Sequence, residues 1–282
     1  MKPTALLRLI RPVNCLMMGF AVIVGSVIAA GADLVNSWPA LTLGFVTTFT
    51  LTGSAMSLND YFDRSIDAIN EPKRPIPSGE ITLTGSIIYA SILAIVGMGA
   101  AYATNLSCLA LAIFALTIMI LYSAKFKRSG LLGNLMVSTS VALPFLYGGL
   151  AVRGTVSTYS LLFALMAFLS NTGREITKGI VDIEGDRAEG VRTVAVLRGP
   201  KKASQSAAIF YVSAVFISVV PVYLGLVSLW YFPAIVSADL GFIVSSFLLI
   251  KDPSREKSRT VKNRALIWMM LALVGFFLGS VF

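Results

Sequence analysis

Residues 83–124 read LTGSIIYASILAIVGMGAAYATNLSCLALAIFALTIMILYSA and contain no Asp, Glu, Lys or Arg. A single helix needs about 20 apolar residues to cross the hydrocarbon of a bilayer. We therefore place two spans here, at 83–103 and 105–124. The apolar residues run continuously rather than in alternation, so the pattern indicates helices and not membrane strands.

The rest of the chain follows the same pattern. Of its 282 residues, 56% are hydrophobic and only 13% are charged, about half the charged fraction of a soluble domain. We predict an all-α membrane protein with about nine transmembrane helices, forming one domain over residues 1–282. The predicted spans are 13–32, 39–58, 83–103, 105–124, 132–152, 156–177, 205–226, 228–250 and 263–282.

The basic residues lie almost entirely on one side of these spans. With the N-terminus inside, Arg153 is the only one of the 23 Lys and Arg residues in an outside loop. Cytoplasmic loops carry such an excess, so we expect a multi-pass protein of the cell membrane with its N-terminus and its long loops, 59–82 and 178–204, in the cytoplasm. The net charge of +9 then follows from topology and the anionic inner leaflet, and requires no nucleic acid.

Two residue types narrow the chemistry. The chain has no histidine, which excludes His-based acid–base catalysis and His-ligated zinc or haem. Cys15 and Cys108 both lie in apolar spans, and we interpret them as small buried hydrophobic residues. Function therefore depends on the polar residues gathered in the long inside loops.

The first of these loops begins with an acidic motif, Asn59-Asp60-Tyr-Phe-Asp63-Arg-Ser-Ile-Asp67. On a helix, positions 60, 63 and 67 share one face. Crowded carboxylates repel one another and are stable mainly when cations are present. Mg²⁺ suits them, since it takes carboxylates, waters and substrate phosphates as ligands. A solvated acidic helix end is the alternative, but it would not require three acids on one face beside a membrane core.

The motif runs into a proline-rich loop. Pro72, Pro75 and Pro77 are expected to end the helix and stiffen the chain after it. Lys73 and Arg74 are then free to reach a phosphate group.

The second acidic motif contains Asp182 and Asp186, one helical turn apart. Asn171, Glu175 and Lys178 continue the same face back into the sixth span. Polar residues inside a membrane are costly and usually line a functional cavity. The alternative is that they hold the bundle together through hydrogen bonds and ion pairs between helices.

Two carboxylate clusters facing one cavity indicate a diphosphate held between metal ions. A diphosphate with an apolar remainder, such as an allylic prenyl diphosphate, fits a membrane cavity, and metal ions with cationic side chains neutralise the departing group. We predict Mg²⁺ as cofactor, with a prenyl diphosphate donor, a lipid-like acceptor and membrane lipids as partners. The predicted catalytic and metal-binding residues are Asp60, Asp63, Asp67, Asp182 and Asp186.

Further basic and polar residues are predicted to bind substrate at the inner ends of the spans. Anchoring in the lipid headgroups is the alternative for several of them. Arg174 is the best candidate for a second anionic group, because its fork can grip phosphate with two hydrogen bonds. Asp239, near the middle of the eighth span, is left out of the site. The substrate-binding candidates are Arg11, Asn14, Asn59, Lys73, Arg74, Tyr122, Lys125, Lys127, Asn171, Arg174 and Lys178.

Both motifs resemble those of the UbiA superfamily of intramembrane prenyltransferases. The first matches the pattern N-D-x-x-D-x-x-x-D and the second matches D-x-x-x-D, and the resemblance covers most of the chain. It implies nine helices around a central cavity, which we expect to open to the cytoplasmic side. In one respect the chain departs from the pattern: many members place a Lys four residues after a Tyr, whereas Tyr122 is followed by Lys125 and Lys127.

Within the superfamily, residues 173–178 and 182–187 resemble the archaeal digeranylgeranylglyceryl phosphate synthases. This resemblance implies transfer of a geranylgeranyl group from geranylgeranyl diphosphate to the free hydroxyl of geranylgeranylglyceryl phosphate, in archaeal ether lipid biosynthesis. An aromatic or tetrapyrrole acceptor remains an alternative, since residues 70–79 also resemble the chlorophyll synthases. A divalent-cation transporter is a third hypothesis, but it would place its acids near the midplane.

Overall fold

The computed structural model describes residues 3–30 and 37–281, and this part of the chain forms helices joined by short loops, with no strand. In chain order the helices are α1 (Pro3–Ile10), α2 (Pro12–Ala30), α3 (Trp38–Phe62), α4 (Arg64–Asn70), α5 (Leu83–Thr104), α6 (Leu106–Ala124), α7 (Leu131–Arg153), α8 (Thr158–Val181), α9 (Ile183–Ala188), α10 (Val194–Ser218), α11 (Val220–Tyr223), α12 (Tyr231–Lys251) and α13 (Arg255–Val281). A short 3₁₀ helix, Phe126–Ser129, precedes α7.

The helices that can cross a membrane agree with the predicted class. Within the described residues, eight helical segments are long and apolar enough, with α10 and α11 forming one of them. The 24-residue helix α8 is also long enough to cross but is more polar, because Asn171, Arg174, Glu175 and Lys178 lie on it. It packs against α7, α10 and α13. With α8, the described part of the chain holds about nine long helices, and the all-α membrane fold is confirmed.

Several predicted boundaries differ from the structure. The seventh span was expected to begin at 205, but its helix begins at Val194 and breaks at Gly199, whose φ is +80°. The break precedes Pro200, which has no N–H to donate and disfavours helical backbone at the residue before it. The last helix begins at Arg255 rather than at 263. The predicted ends at 31–32 and 282 lie outside the described residues.

Close packing between helices stabilises the bundle, because the hydrophobic effect does not drive helices together in lipid. α2 and α7 meet at Gly25 and Gly148, where a Cβ on Gly25 would lie only 2.2 Å from the Phe145 carbonyl oxygen. Small residues at such crossings allow two backbones to approach closely. Farther from the acidic motifs, the rings of Phe163 and Phe276 stack with centroids 4.2 Å apart and close the opposite end of the bundle.

Candidate active site

A cavity of about 460 Å³ lies between α2, α3, α6, α7, α8 and α13. One part of its wall is apolar, with Leu51, Ala112, Leu116 and Val141 among the lining residues. The other part is polar, so the cavity suits a molecule with an apolar chain and a charged head. The polar lining residues near the helix ends that carry the acidic motifs are Arg11, Asn14, Asn59, Arg74, Tyr122, Asn171, Arg174, Glu175, Lys178, Lys262 and Asn263.

The first acidic motif spans the junction of α3 and α4 rather than one continuous helix. Asp63 lies at this junction, between Phe62 and Arg64. The turn is nevertheless carried through by backbone hydrogen bonds from Asp63 N to Asn59 O, 2.9 Å, and from Asp67 N to Asp63 O, 2.8 Å. Asp60, Asp63 and Asp67 are 1%, 3% and 4% exposed, so the predicted grouping of three buried carboxylates is present despite the break.

Three cations neutralise these carboxylates. Arg74 bridges two of them, with its Nη1 2.5 Å from Asp67 Oδ2 and 3.3 Å from Asp60 Oδ1. Arg11 also pairs with Asp60, and Lys127 Nζ lies 2.6 Å from Asp63 Oδ1. Buried charges are tolerated only when paired in this way. The two arginines line the cavity and the aspartates lie behind them.

Arg11 is held in an unusual backbone conformation. Its φ is +53°, the only positive φ of a non-glycine residue within the described part of the chain. Such a conformation costs about 1–3 kcal/mol and persists only where the surroundings impose it. Arg11 joins α1 to α2 and its guanidinium contacts Asp60 and Met56. This placement supports a role in the site rather than a headgroup anchor.

The second acidic motif repeats the plan of the first. Here α8 ends at Val181, Asp182 lies at the junction, and α9 carries Asp186, which is 4% exposed. The short helices α4 and α9 touch each other. The Asn70 side-chain amide donates to the Asp182 carbonyl oxygen over 3.4 Å. The fold therefore brings the two motifs together, and this proximity is what a single site built from both motifs requires.

The electrostatic environment raises two carboxyl pKa values. Burial raises the pKa of Asp67 to about 6; Arg74 opposes the shift, while Asp60 and Asp63 add to it. Burial likewise raises the pKa of Asp186 to about 7, against the effect of Lys127 and with that of Asp182. Together the two motifs hold five aspartates, Asp60, Asp63, Asp67, Asp182 and Asp186, and ion pairs with three cations, Arg11, Arg74 and Lys127, so a further cation would be favoured there.

The polar face of α8 lines the cavity beside the two motifs. Asn171 donates through its Nδ2 to Ser138 Oγ, 3.1 Å away. Glu175 accepts from both neighbours on its helix, Arg174 Nη1 at 3.1 Å and Lys178 Nζ at 3.3 Å. Arg174, Glu175 and Lys178 form ion pairs within their own helix, and all of these polar residues line the cavity. They are therefore positioned to contact a substrate as well as to stabilise the bundle.

The structure separates two pairs of neighbouring basic residues. Lys127 reaches Asp63, whereas Lys125 is exposed, with its ammonium 5.9 Å from the Phe126 ring. Arg74 lines the cavity, whereas Lys73 is exposed and does not line it. Lys73 and Lys125 were both predicted to bind substrate, and the structure places neither of them at the site.

Three polar residues at the site were not predicted. Asn70 connects α4 to the second motif, and Lys262 and Asn263, in the first turns of α13, line the cavity. A lysine at the inner end of a span looks like any headgroup anchor in sequence, so no local signal distinguishes Lys262. Asp239, which was left out of the site, lies outside the main cavity and accepts from Ser218 Oγ over 2.7 Å.

The aspartates fit Mg²⁺ in chemistry. In the described conformation of residues 3–30 and 37–281, no three acidic or cysteine side chains enclose a metal-sized point, since several carboxylates bond to Arg11, Arg74 and Lys127 instead. The donors available are all carboxylate oxygen atoms. They belong to two motifs whose short helices, α4 and α9, are in contact. This is the ligand set that Mg²⁺ takes when phosphate oxygens complete its shell.

Comparison with known proteins places this fold and site in one class. The profile of the UbiA prenyltransferase family matches residues 18–278, and the chain belongs to this family of membrane prenyltransferases. It is 35% identical to the digeranylgeranylglyceryl phosphate synthase of Thermococcus sibiricus, over 98% of this chain and 96% of that one.

Solved structures agree with this assignment. One concerning digeranylgeranylglyceryl phosphate synthase in membranes has a TM-score of 0.75 and 32% identity, and the match covers 99% of this chain and 98% of that one. A UbiA homologue from Archaeoglobus fulgidus bound to GPP and Mg²⁺ shares the fold, with a TM-score of 0.65, 19% identity and coverage of 96% and 99%.

Proposed function

We propose that this protein transfers a geranylgeranyl group from geranylgeranyl diphosphate to the free hydroxyl of geranylgeranylglyceryl phosphate, in a Mg²⁺-dependent step of archaeal ether lipid synthesis. The observation that carries the proposal is one cavity with an apolar wall and two joined acidic motifs. Near-complete alignment with a synthase of that name supports the choice of acceptor. A divalent-cation transporter is disfavoured by family membership and by acids that gather at the helix ends.

Asp60, Asp63, Asp67, Asp182 and Asp186 would hold Mg²⁺, which supplies charge neutralisation of the departing diphosphate when bound. Arg11, Arg74 and Lys127 already stand beside the carboxylates. Each can turn from a carboxylate oxygen to a phosphate oxygen, because Arg and Lys donate equally readily to both.

The position of these charged side chains explains how the donor's carbon–oxygen bond would break. The allylic carbon–oxygen bond breaks and its electron pair leaves with the diphosphate, which the cationic side chains stabilise. The allylic cation then forms near Tyr122, the aromatic residue that lines the cavity on the side of the acidic motifs, and ring faces attract positive charge. The glycerol hydroxyl oxygen of the acceptor attacks the cation to form the ether bond, and its proton passes to water or to an oxygen of the released diphosphate.

The location of the reaction is part of the proposal. The basic residues of the loops that carry both motifs support a position of those loops, with the N-terminus, on the cytoplasmic side of the cell membrane. Water-soluble diphosphate would then be released into the cytoplasm, while the prenylated product stays in the bilayer.

The test is an assay of the purified full chain with geranylgeranyl diphosphate and three acceptors. These are geranylgeranylglyceryl phosphate, the same lipid without its phosphate, and an uncharged aromatic phenol, each with Mg²⁺ or excess EDTA. We expect efficient transfer to the phosphorylated glycerol ether with Mg²⁺ and none in EDTA. Efficient prenylation of the aromatic acceptor, with none of the glyceryl phosphate, would contradict the proposed acceptor. Full turnover in EDTA would contradict the proposed metal.

A further inference from the structure

The charged groups around the cavity divide into two unequal sets. On the side of the acidic motifs, five aspartates face three cations, Arg11, Arg74 and Lys127. On the side of α8 and α13, three cations, Arg174, Lys178 and Lys262, line the cavity with one carboxylate, Glu175, and Asp182 of the acidic side acts on Lys178 and Lys262. The first side needs added cations before it can hold an anion, whereas the second already carries excess positive charge.

Two groups on the basic side lack partners for their hydrogen bonds. Lys262 forms no ion pair or hydrogen bond within the described residues, although Asp182 lies near enough to act on its charge. The Nε of Arg174 is buried and has no acceptor in that same part of the chain. A buried donor without an acceptor is costly. Lys262 is only partly buried, and an oxygen of a phosphate bound in the cavity can accept from its ammonium and from the Arg174 guanidinium, which also lines the cavity.

The surroundings of Lys262 fit an amphiphile rather than free phosphate. Leu266 and Met269 lie one and two turns beyond it on the same face of α13, and both line the cavity. Leu273 and Phe276 continue this face into a small, mostly apolar cleft beside α8 and α12, which Asp239 and Ser170 also line. A lipid with its phosphate at Lys262 could lay its chain along this face.

We propose that Lys262 and Arg174 form a metal-independent phosphate site that holds the acceptor, with Asn263 beside them, and that the α13 face contacts the acceptor's chain. The inference rests on the proposed function and assigns the acceptor's position within it. It separates two anionic groups that would repel each other: the diphosphate of the donor lies on the acidic side with metal, and the phosphomonoester of the acceptor lies on the basic side without it. Lys262 is thereby a specificity-determining residue.

The central variant is Lys262→Met, which removes the charge and keeps an unbranched chain. Its matched control is Lys257→Met, on the same helix but exposed and outside the cavity lining. We expect Lys262→Met to lower kcat/KM for geranylgeranylglyceryl phosphate by about 10- to 100-fold, as loss of a charged hydrogen bond does. The KM for geranylgeranyl diphosphate and the weak use of the unphosphorylated acceptor should stay unchanged. Lys262→Arg should restore most of the loss.

A binding measurement tests metal independence directly. Geranylgeranylglyceryl phosphate should bind the wild-type protein in excess EDTA, and Lys262→Met should weaken that binding by a similar factor. Loss of wild-type binding in EDTA, or wild-type acceptor affinity in Lys262→Met, would overturn the inference. If Lys262→Met does not fold, Arg174→Lys serves instead: it keeps the charge, removes the Nε donor and should also raise the acceptor KM selectively, and an unchanged acceptor KM would equally overturn the inference.

The outcomes separate this inference from the proposed function. If the wild-type protein prenylates the glyceryl phosphate and the Lys262 and Arg174 variants keep the wild-type affinity for the acceptor, the proposed phosphate site is wrong but the proposed function is not. Wild-type protein that does not accept the glyceryl phosphate at all removes the function itself.

Discussion

The side-chain amide of Asn70 lies 3.4 Å from the main-chain carbonyl oxygen of Asp182 and donates a hydrogen bond to it. The two residues are 112 positions apart in sequence. Asn70 ends α4, the helix that carries Asp67, and Asp182 belongs to the second acidic motif. Their contact sets the spacing between the carboxylates of α4 and those of α9. The site is therefore assembled by the packing of two short helices, and this packing can be tested without touching a carboxylate.

Gly185→Ala should separate the two motifs. A Cβ at this position would lie 2.4 Å from Asn70 Nδ2, so α9 must shift away from α4 or Asn70 must give up its hydrogen bond. A displacement near 1 Å can cost about 100-fold in rate, and we expect a loss of about tenfold or more in kcat. Gly99→Ala is the control, since no atom lies within 4 Å of a Cβ there. Equal turnover by both variants would show that the α4–α9 spacing does not matter.

Asp63→Asn and Asp182→Asn should each lower activity by about 100-fold or more. Each variant removes one of the carboxylates that would hold the Mg²⁺ ions, and these ions would neutralise the departing diphosphate. The stabilities of the two variants should differ. Asp63 pairs with Lys127 at 2.6 Å, whereas Asp182 has no ion pair within the described residues. Thermal unfolding in detergent, without divalent metal, should show a lower Tm for Asp63→Asn alone. Near wild-type rates in both variants would remove these residues from the diphosphate site.

The stabilisation of the protein by Mg²⁺ should grow with pH. The pKa values of Asp67 and Asp186, about 6 and about 7, lie above the ordinary value of 3.8. Between the ordinary and the raised values the folded protein holds protons that the unfolded chain has released, so stability without metal falls as pH rises through this window. Mg²⁺ requires the deprotonated carboxylates.

The measurement is the rise in Tm on adding Mg²⁺, taken from about pH 5 to about pH 8, across the window that linkage assigns. We expect a small rise at the acid end and a larger one at the basic end. Asp186→Asn should flatten the upper part of this dependence because it removes the group that titrates near pH 7. A rise that does not vary with pH would contradict metal binding by these groups.

Lys127→Met should impair transfer, whereas Lys125→Met should leave it near wild type. The first ammonium bonds to Asp63 and can turn to a phosphate oxygen, while the second is exposed. Loss of one charged contact of this kind costs about 1.5–3 kcal/mol, or roughly 10- to 150-fold in kcat/KM. Steady-state kinetics with geranylgeranyl diphosphate measures the effect. The opposite order of the two variants would show that Lys125 is the residue that serves the site.

Much of this site could be predicted from local pattern alone. The spacing of Asp60, Asp63 and Asp67 indicated one buried acidic cluster, and the structure buries all three. The spacing did not reveal the break at Asp63, because backbone hydrogen bonds keep the helical turn through the junction. Lys73 and Lys125 were predicted to bind substrate from their positions, after the proline-rich helix end and after Tyr122. In the structure both side chains are exposed and neither lines the cavity.

By itself, the sequence determined the class of the protein. The long apolar runs are suited to lipid, where backbone groups must bond within helices. The aspartates of the first motif share one face because their spacing matches the helical period. Tertiary structure decided which charges meet. The pairing of Lys127 with Asp63, the bridge from Asn70 to Asp182 and the arrival of Lys262 at the cavity join residues far apart in the chain. Contacts of this kind depend on how helices pack and on which of two neighbouring side chains faces inward, and no local pattern encodes either.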